Sequence, residues 1–224
     1  LDGLRSLSDA SARVLAQHRG NLYLRGLLSI TDMAAASLAE HRHALILDGL
    51  AGISENAAHS LARHHGTISL NGLSSLSDET ATALAAHAGD LCLDGVLSLS
   101  DRAAAALSRH EGKLSLAALS ALTDCPGHVA LATKLARQHA VSLNGLTLIS
   151  DTAAEALGNN RGVLYLDGLQ SLSDDAAIAL SRHRGNLHMR GLASLTEEGI
   201  KALAGCEWLA TNERVGRLLK KARK

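Results

Sequence analysis

The chain has 224 residues, 46% of them hydrophobic, with 22 basic against 22 acidic side chains, no Phe, one Trp and two Tyr. No apolar run approaches the roughly 18 residues of a membrane-spanning helix, and the charge balance excludes the strongly basic character of a nucleic-acid-binding domain. A core supplied almost wholly by Leu, Ile, Val and Ala suits thin, similar layers.

From its first residue the chain repeats one pattern, Leu-x-Gly-Leu-x-x-Leu-Ser-Asp, followed by residues that include Leu, small side chains and often His and Gly. Units begin at Leu1, Leu24, Leu47, Leu70, Leu93, Leu116, Leu143, Leu166 and Met189, a step of 23 residues broken once by a step of 27. A fixed period of this size is the signature of a solenoid, in which each unit buries its apolar side against its neighbours. Leu1 falls inside a unit, as expected of a chain cut from a longer protein.

Counting the first Leu of a unit as position 1, positions 22 and 1 are apolar around a variable residue, as in Leu22 and Leu24, Leu45 and Leu47, and Leu164 and Leu166. Such alternation predicts a short, half-buried strand. Gly at position 3 in eight of nine units, with Ala118 the exception, marks a tight or crowded turn out of that strand. Position 8 is Ser or Thr and position 9 Asp or Glu throughout, from Ser8-Asp9 to Thr196-Glu197. A hydroxyl followed by a carboxylate predicts a helix N-terminus, the first capping orphan N–H groups and the second facing the positive end of the dipole. Small and apolar residues then recur at helical spacing, as in Ala103, Ala104, Ala106 and Leu107, and the helix should end near His110-Glu111-Gly112, where Gly112 would take a left-handed cap.

The sixth unit, 116–142, carries four additional residues around Thr123-Asp124-Cys125-Pro126-Gly127-His128. Four residues are close to one helical turn, so the excess fits into a longer helix, with Pro126 in its first turn where a missing N–H costs least. Cys125 and His128 have ligand-like spacing but no second pair, so no metal site is expected. From Trp208-Leu209 onward the pattern is left. Val215, Leu218 and Leu219 fall at helical spacing, and residues 210–224 read as a basic capping helix or tail after a repeat domain over 1–209. The last fifteen residues hold Arg214, Arg217, Lys220, Lys221, Arg223 and Lys224 against Glu213 alone, so the body is mildly acidic. Capping is the main reading of that segment; contact with anionic lipid or nucleic acid is its alternative.

These repeats resemble leucine-rich repeats, whose layout is a Leu-x-Leu strand followed by a helix of small residues. Gly199-Ile200-Lys201-Ala202-Leu203-Ala204 and Ala177-Ile178-Ala179-Leu180 look like the bacterial GALA-type branch. The resemblance covers the chain short of its tail and rests on nine in-phase copies. It implies an α/β fold: a curved, right-handed leucine-rich-repeat solenoid of about nine strand-turn-helix repeats, with a parallel sheet on the concave face, short helices on the convex face, and protein binding as its usual work. One feature departs from that family. Its turn-bridging Asn, three residues after the second strand Leu, is here Leu or Val in every unit, from Leu4 and Leu27 through Val96 to Leu192. Curvature is therefore not carried over from the family.

Six of the twelve histidines occupy position 18: His18, His41, His64, His87, His110 and His183, with Asn160 and Cys206 in two other units. Two imidazoles sharing a zinc need ring nitrogens within about 3–3.5 Å, whereas successive coils are spaced by roughly 5 Å at strands and about 8–10 Å at helices. The row is read as hydrogen-bonding helix C-terminal carbonyls, with Asn160 able to substitute. Charging it on acidification is expected to lower stability below about pH 6. Cys92, Cys125 and Cys206 lie in separate repeats without a CxxC pair, which fits a reducing, cytoplasmic setting.

No nucleophile elbow, P-loop, dinucleotide fingerprint or HExxH occurs, so no enzyme, catalytic residue, metal or cofactor is expected. Function is placed on the exposed strand positions 21, 23 and 2, with Tyr23, Arg25, Ile46, Asp48, Asn71, Asp94, Tyr165, Asp167, His188 and Arg190 as partner-binding candidates. Tyr23 and Tyr165, six strands apart or roughly 29 Å at ~4.8 Å per strand, are the expected anchors. The main reading is a non-catalytic protein-interaction scaffold, with no nucleic-acid or membrane partner. The alternatives are a spacer solenoid without a specific ligand and, last, a histidine-based metal-binding protein.

Overall fold

The computed structural model describes residues 1–223; Lys224, the last of the basic tail, lies outside the described residues. It divides into two compact units, Leu1–Leu116 and Ala117–Lys224. Each is a stack of strand-helix repeats.

The N-terminal unit runs α1 (Asp9–Leu15), β1 (Leu22–Tyr23), α2 (Asp32–Leu38), β2 (Leu45–Ile46), α3 (Glu55–Leu61), β3 (Ile68–Ser69), α4 (Asp78–Ala85), β4 (Leu91–Cys92), α5 (Asp101–Leu107) and β5 (Leu114–Ser115). Its strands form one parallel sheet in chain order, with Leu22, Leu45, Ile68, Leu91 and Leu114 in register at the 23-residue step. The C-terminal unit contains β6 (Ala121–Leu122), α6 (Pro126–Ala136), β7 (Ala140–Ser142), β8 (Leu148–Ile149), α7 (Asp151–Gly158), β9 (Val163–Tyr165), α8 (Asp174–Ser181), β10 (Asn186–Met189), α9 (Glu197–Ala204), β11 (Leu209–Thr211) and α10 (Glu213–Ala222). Here β7, β9, β10 and β11 form a four-stranded parallel sheet, and β6 pairs with β8. No described helix is long and apolar enough to cross a membrane.

One repeat explains the rest. Leu45, Leu47 and Leu50 point inward from β2 and its turn, as do Ala57, Ala58 and Leu61 from α3; all six are fully buried. Each such Leu contributes about 1.5–3 kcal/mol by leaving water, while the alanines keep helix and strand layers thin. The chain leaves the strand through a turn closed by the Leu50 N–H donating to the Leu47 carbonyl at 3.1 Å, repeated at Leu73 and Val96. The position-4 leucine is thus core.

Helix starts follow the hydroxyl-carboxylate reading and extend it. Ser100 accepts the Ala103 N–H at 3.0 Å as an N-cap, and its own hydroxyl donates to the Asp78 carboxylate of the preceding coil. Thr31 to Asp9, Ser54 to Asp32, Ser173 to Asp151 and Thr196 to Asp174 repeat the link. A residue pair read as a local cap is also a rung between coils. The sixth unit differs. The helix expected after Thr123-Asp124 starts at Pro126, its N-cap Cys125 makes no side-chain cap bond, and the Thr123 N–H donates to His128 Nδ1 at 3.1 Å. The four extra residues lie in α6, which has 11 residues against seven or eight in α1–α5.

Two expectations are corrected. Gly112 does not adopt a left-handed cap: among the described residues Gly20 alone has positive φ, +113°. Gly112 is instead required by proximity, since a Cβ there would lie 2.1 Å from the Gly89 carbonyl oxygen. From the second repeat onward the position-3 glycines obey the same rule, and a Cβ on Gly95 would lie 2.0 Å from the Asn71 carbonyl oxygen. The pattern also does not end at Trp208. β11 pairs with β10 with Leu209 opposite Leu187, so the expected boundary at 209/210 falls inside a strand, and α10 follows as the helix of a further coil. Of the anticipated apolar stripe, Val215 and Leu219 are buried, whereas Leu218 remains 38% exposed.

Because backbone blocks the Cβ, Gly95→Ala is expected to destabilise the protein by about 1–3 kcal/mol. Gly3→Ala, with nothing within 4 Å of its Cβ, should stay within about 0.5 kcal/mol of the parent. Urea unfolding of the two variants distinguishes a steric seam from a general intolerance of alanine at position 3.

Candidate functional site

The strand face carries the candidate residues, and the structure sorts them into two groups. The first is a polar ladder along position 2. In the N-terminal unit an Asp2 carboxylate oxygen accepts the Arg25 N–H at 3.3 Å, Asp48 the Asn71 N–H at 3.1 Å, and the Asn71 side-chain oxygen the Asp94 N–H at 2.8 Å. Asp48 also accepts the Ser69 hydroxyl, and Asn71 Nδ2 donates back to Ser69 Oγ at 3.0 Å. In the C-terminal unit Asn144 accepts the Asp167 N–H at 3.2 Å and Asp167 the Arg190 N–H at 2.8 Å. Each bond joins one coil to the next and satisfies a backbone donor beside the position-3 glycine. Asp48, Asn71, Asp94 and Asp167 are accordingly half-buried. Position 21 adds two similar bonds, Asn21 accepting the Ala44 N–H and Asp90 the Lys113 N–H.

The second group stands clear of the ladder. Tyr23 is 40% exposed. The Arg25 guanidinium carbon lies 4.7 Å from its ring centroid, within cation–π range, and the Asn21 amide donates to its hydroxyl at 3.4 Å. Arg25 is held in turn by Asp2 at 3.5 Å and Asp48 at 3.9 Å. Ile46 neighbours Tyr23 in register and is half-buried. Further along the same row Ser69 is buried, and Cys92 and Ser115 are half-buried. In the C-terminal unit Tyr165 and His188, also register partners, stack with centroids 4.5 Å apart and planes 24° apart. Arg190 stands beside them, its guanidinium 3.6 Å from the Asp167 carboxylate. Each unit therefore presents one tyrosine, one arginine and the aspartate that orients it. Burial, with Asp94 and Asp90 nearby, pushes the Cys92 thiol above its ordinary pKa, so its thiolate is disfavoured.

The position-18 histidines form a separate row. His18, His41, His64, His87 and His110 stack with successive centroid distances of 6.4, 6.2, 6.1 and 6.1 Å and planes within 15° of parallel. His41, His64 and His87 are buried. Where a position-18 side chain meets a carbonyl, that carbonyl belongs to the preceding coil. His41 Nδ1 lies 3.3 Å from the Ala16 oxygen; Asn160 donates to Ala136 O at 3.0 Å and Gln138 O at 2.6 Å while accepting the Gly162 N–H at 2.9 Å; the Cys206 thiol reaches Ser181 O at 3.5 Å. At position 18 the expected contact with a helix C-terminus is thus made across coils by His41, Asn160 and Cys206, whereas both ring nitrogens of His64, His87 and His183 are buried without a hydrogen-bond partner among the described residues. Among the described residues no group of three or more His, Cys, Asp or Glu is placed to hold a metal ion.

Strand alternation identified the face but not the ladder, because a solvated aspartate and one that accepts a neighbouring N–H look alike along a single strand. The available signal was the recurrence of Asp or Asn at position 2 in Asp2, Asp48, Asn71, Asp94, Asn144 and Asp167. Neither a scan of protein-family models nor a search of curated proteins returned a match to this chain.

Burial lowers the pKa of His64, His87 and His183, outweighing the opposing pull of preceding-coil carbonyls such as Ala39 for His64 and Ala62 for His87. Between the lowered folded pKa and the ordinary 6.5 the unfolded chain binds more protons, so stability is full above pH 6.5 and is lost as pH falls below it. Thermal melts should therefore show a lower Tm at pH 5.5 than at pH 7.5. Replacing two rings by the residue found at position 160, in His64→Asn/His87→Asn, should flatten that difference; an unchanged pH slope in the double variant would refute the assignment to these rings.

Proposed function

We propose that the chain is a leucine-rich-repeat-like, right-handed solenoid that acts as a non-catalytic protein-interaction scaffold, using the strand face of each unit to bind a partner protein in a cytoplasmic setting. The observation that carries this reading is one aromatic and arginine cluster in each unit, Tyr23 with Arg25 and Tyr165 with His188 and Arg190, on strand faces otherwise built of small or ladder-engaged side chains. Tyrosine and arginine are enriched among residues that dominate binding energy, because each offers a large contact area and a directed polar group. Here their ion pairs and ring contacts hold them in place before any partner arrives, which lowers the entropic cost of binding. The small residues at the middle of the N-terminal sheet, Ser69, Cys92 and Ser115, favour the spacer reading for those coils alone.

The test is affinity capture from lysate of the source organism with the parent chain and with Tyr23→Ala/Tyr165→Ala. Both substitutions remove side chains outside the core, so circular dichroism should be unchanged. A protein held by the parent and lost by the double variant, with affinity reduced by about 2 kcal/mol or more, is expected for residues of this type. Identical capture by both chains would contradict a strand-face site.

A further inference from the structure

We infer that the outer edge of β11, together with the adjoining basic face of α10, is a second binding site that takes an acidic, extended peptide as an added parallel strand. In the inner strands of this sheet the N–H groups at the two inward-facing positions donate to the next strand, as Leu187 does to Trp208 O at 3.0 Å and Leu166 to His188 O at 2.8 Å. Leu209 stands in register with Leu187, and Thr211 with Met189. The Leu209 and Thr211 N–H groups meet no such acceptor among the described residues. Two aligned backbone donors at a strand edge are what strand addition uses.

The edge borders a groove of about 410 Å³ lined by Leu209–Thr211 and by Asn212, Glu213, Gly216, Arg217 and Lys220. Gly216 leaves this wall low. Arg217 and Lys220 face the groove, and Arg214 and Lys221 extend the positive surface along α10; all four are exposed, and none forms an ion pair among the described residues. Glu213 is the one carboxylate in the lining, and Glu207 lies on the preceding turn. The helix itself is fixed. Arg223 donates to Ala204 O and Cys206 O, both at 2.6 Å, and Asn212 caps its first turn and donates to Arg190 O at 3.1 Å. A rigid cationic wall beside an unpaired strand edge selects acidic side chains on a chain that supplies carbonyl acceptors. Anionic lipid satisfies the cations but offers the strand edge no peptide.

Trp208, 63% exposed and the chain's sole tryptophan, adjoins the edge and reports on it. The experiment is a fluorescence titration of the full chain with an eight-residue peptide alternating Glu and Val, blocked at both ends, combined with amide hydrogen exchange at saturation. With two backbone bonds and a few screened charges the expected Kd is on the order of 100 µM at low salt. The Leu209 and Thr211 amides should slow on binding. Arg217→Glu/Lys220→Glu, checked for unchanged circular dichroism, should weaken binding about tenfold or more. Absence of a Trp208 response overturns the proposal. So does a response that leaves both amides exchanging freely, which would be charge attraction without strand addition. A response to vesicles containing phosphatidylserine but not to the peptide would also overturn it, in favour of a membrane surface.

Discussion

The structure depends on how closely one coil sits on the next. At the two glycine positions of the repeat the Cα of one coil rests on a carbonyl oxygen of the coil before it, near enough that no side chain fits between them at Gly95 or Gly112. Backbone contact at this distance sets the 23-residue register within each unit. It limits the strands to a few residues, because the chain must turn at once to clear its neighbour, and it restricts the helix interior to alanine with one or two leucines. Bulky aromatic side chains have no place in such layers, which accounts for a core without Phe.

Close stacking also creates a polar demand, since backbone donors and acceptors that leave the strand at once must find partners within the adjacent coil. Three repeated side chains meet it. Asp or Asn at position 2 accepts the next coil's N–H, the position-8 hydroxyl joins consecutive helix starts, and at position 18 His41 and Asn160 reach the previous helix end. Leucine at position 4 then needs no polar role. The arrangement constrains function as well. With position 2 largely engaged, the strand-face side chains left for the proposed recognition are Tyr23 and Arg25 in one unit and Tyr165, His188 and Arg190 in the other.

Much of this was legible in the sequence because periodicity reports it directly. The register of Leu22, Leu45 and Ile68, the Ser and Thr caps, the lengthened sixth helix and the Asn160-for-His exchange all follow from position counting. The features that were not legible involve distances between coils. Glycine near a helix end ordinarily signals a left-handed cap, and only the approach of Gly112 to Gly89 shows a different cause. Asp48 and Asn71 read as solvent-facing because alternation along one strand says nothing of the neighbouring N–H. The last coil was hidden by a 22-residue step from Leu187 to Leu209 and by the exposed Trp208 that precedes its strand.

The central claim is that side-chain ladders bind coil to coil at backbone donors outside the regular strands. Residue-resolved amide hydrogen exchange on the intact chain reads those donors directly. The account predicts that the Asn71, Asp94 and Arg190 amides, whose acceptors are side chains one coil earlier, exchange as slowly as the Leu70 and Leu93 amides, which donate to backbone carbonyls of the next coil. Exchange of all three at the rate of an unprotected loop would contradict it.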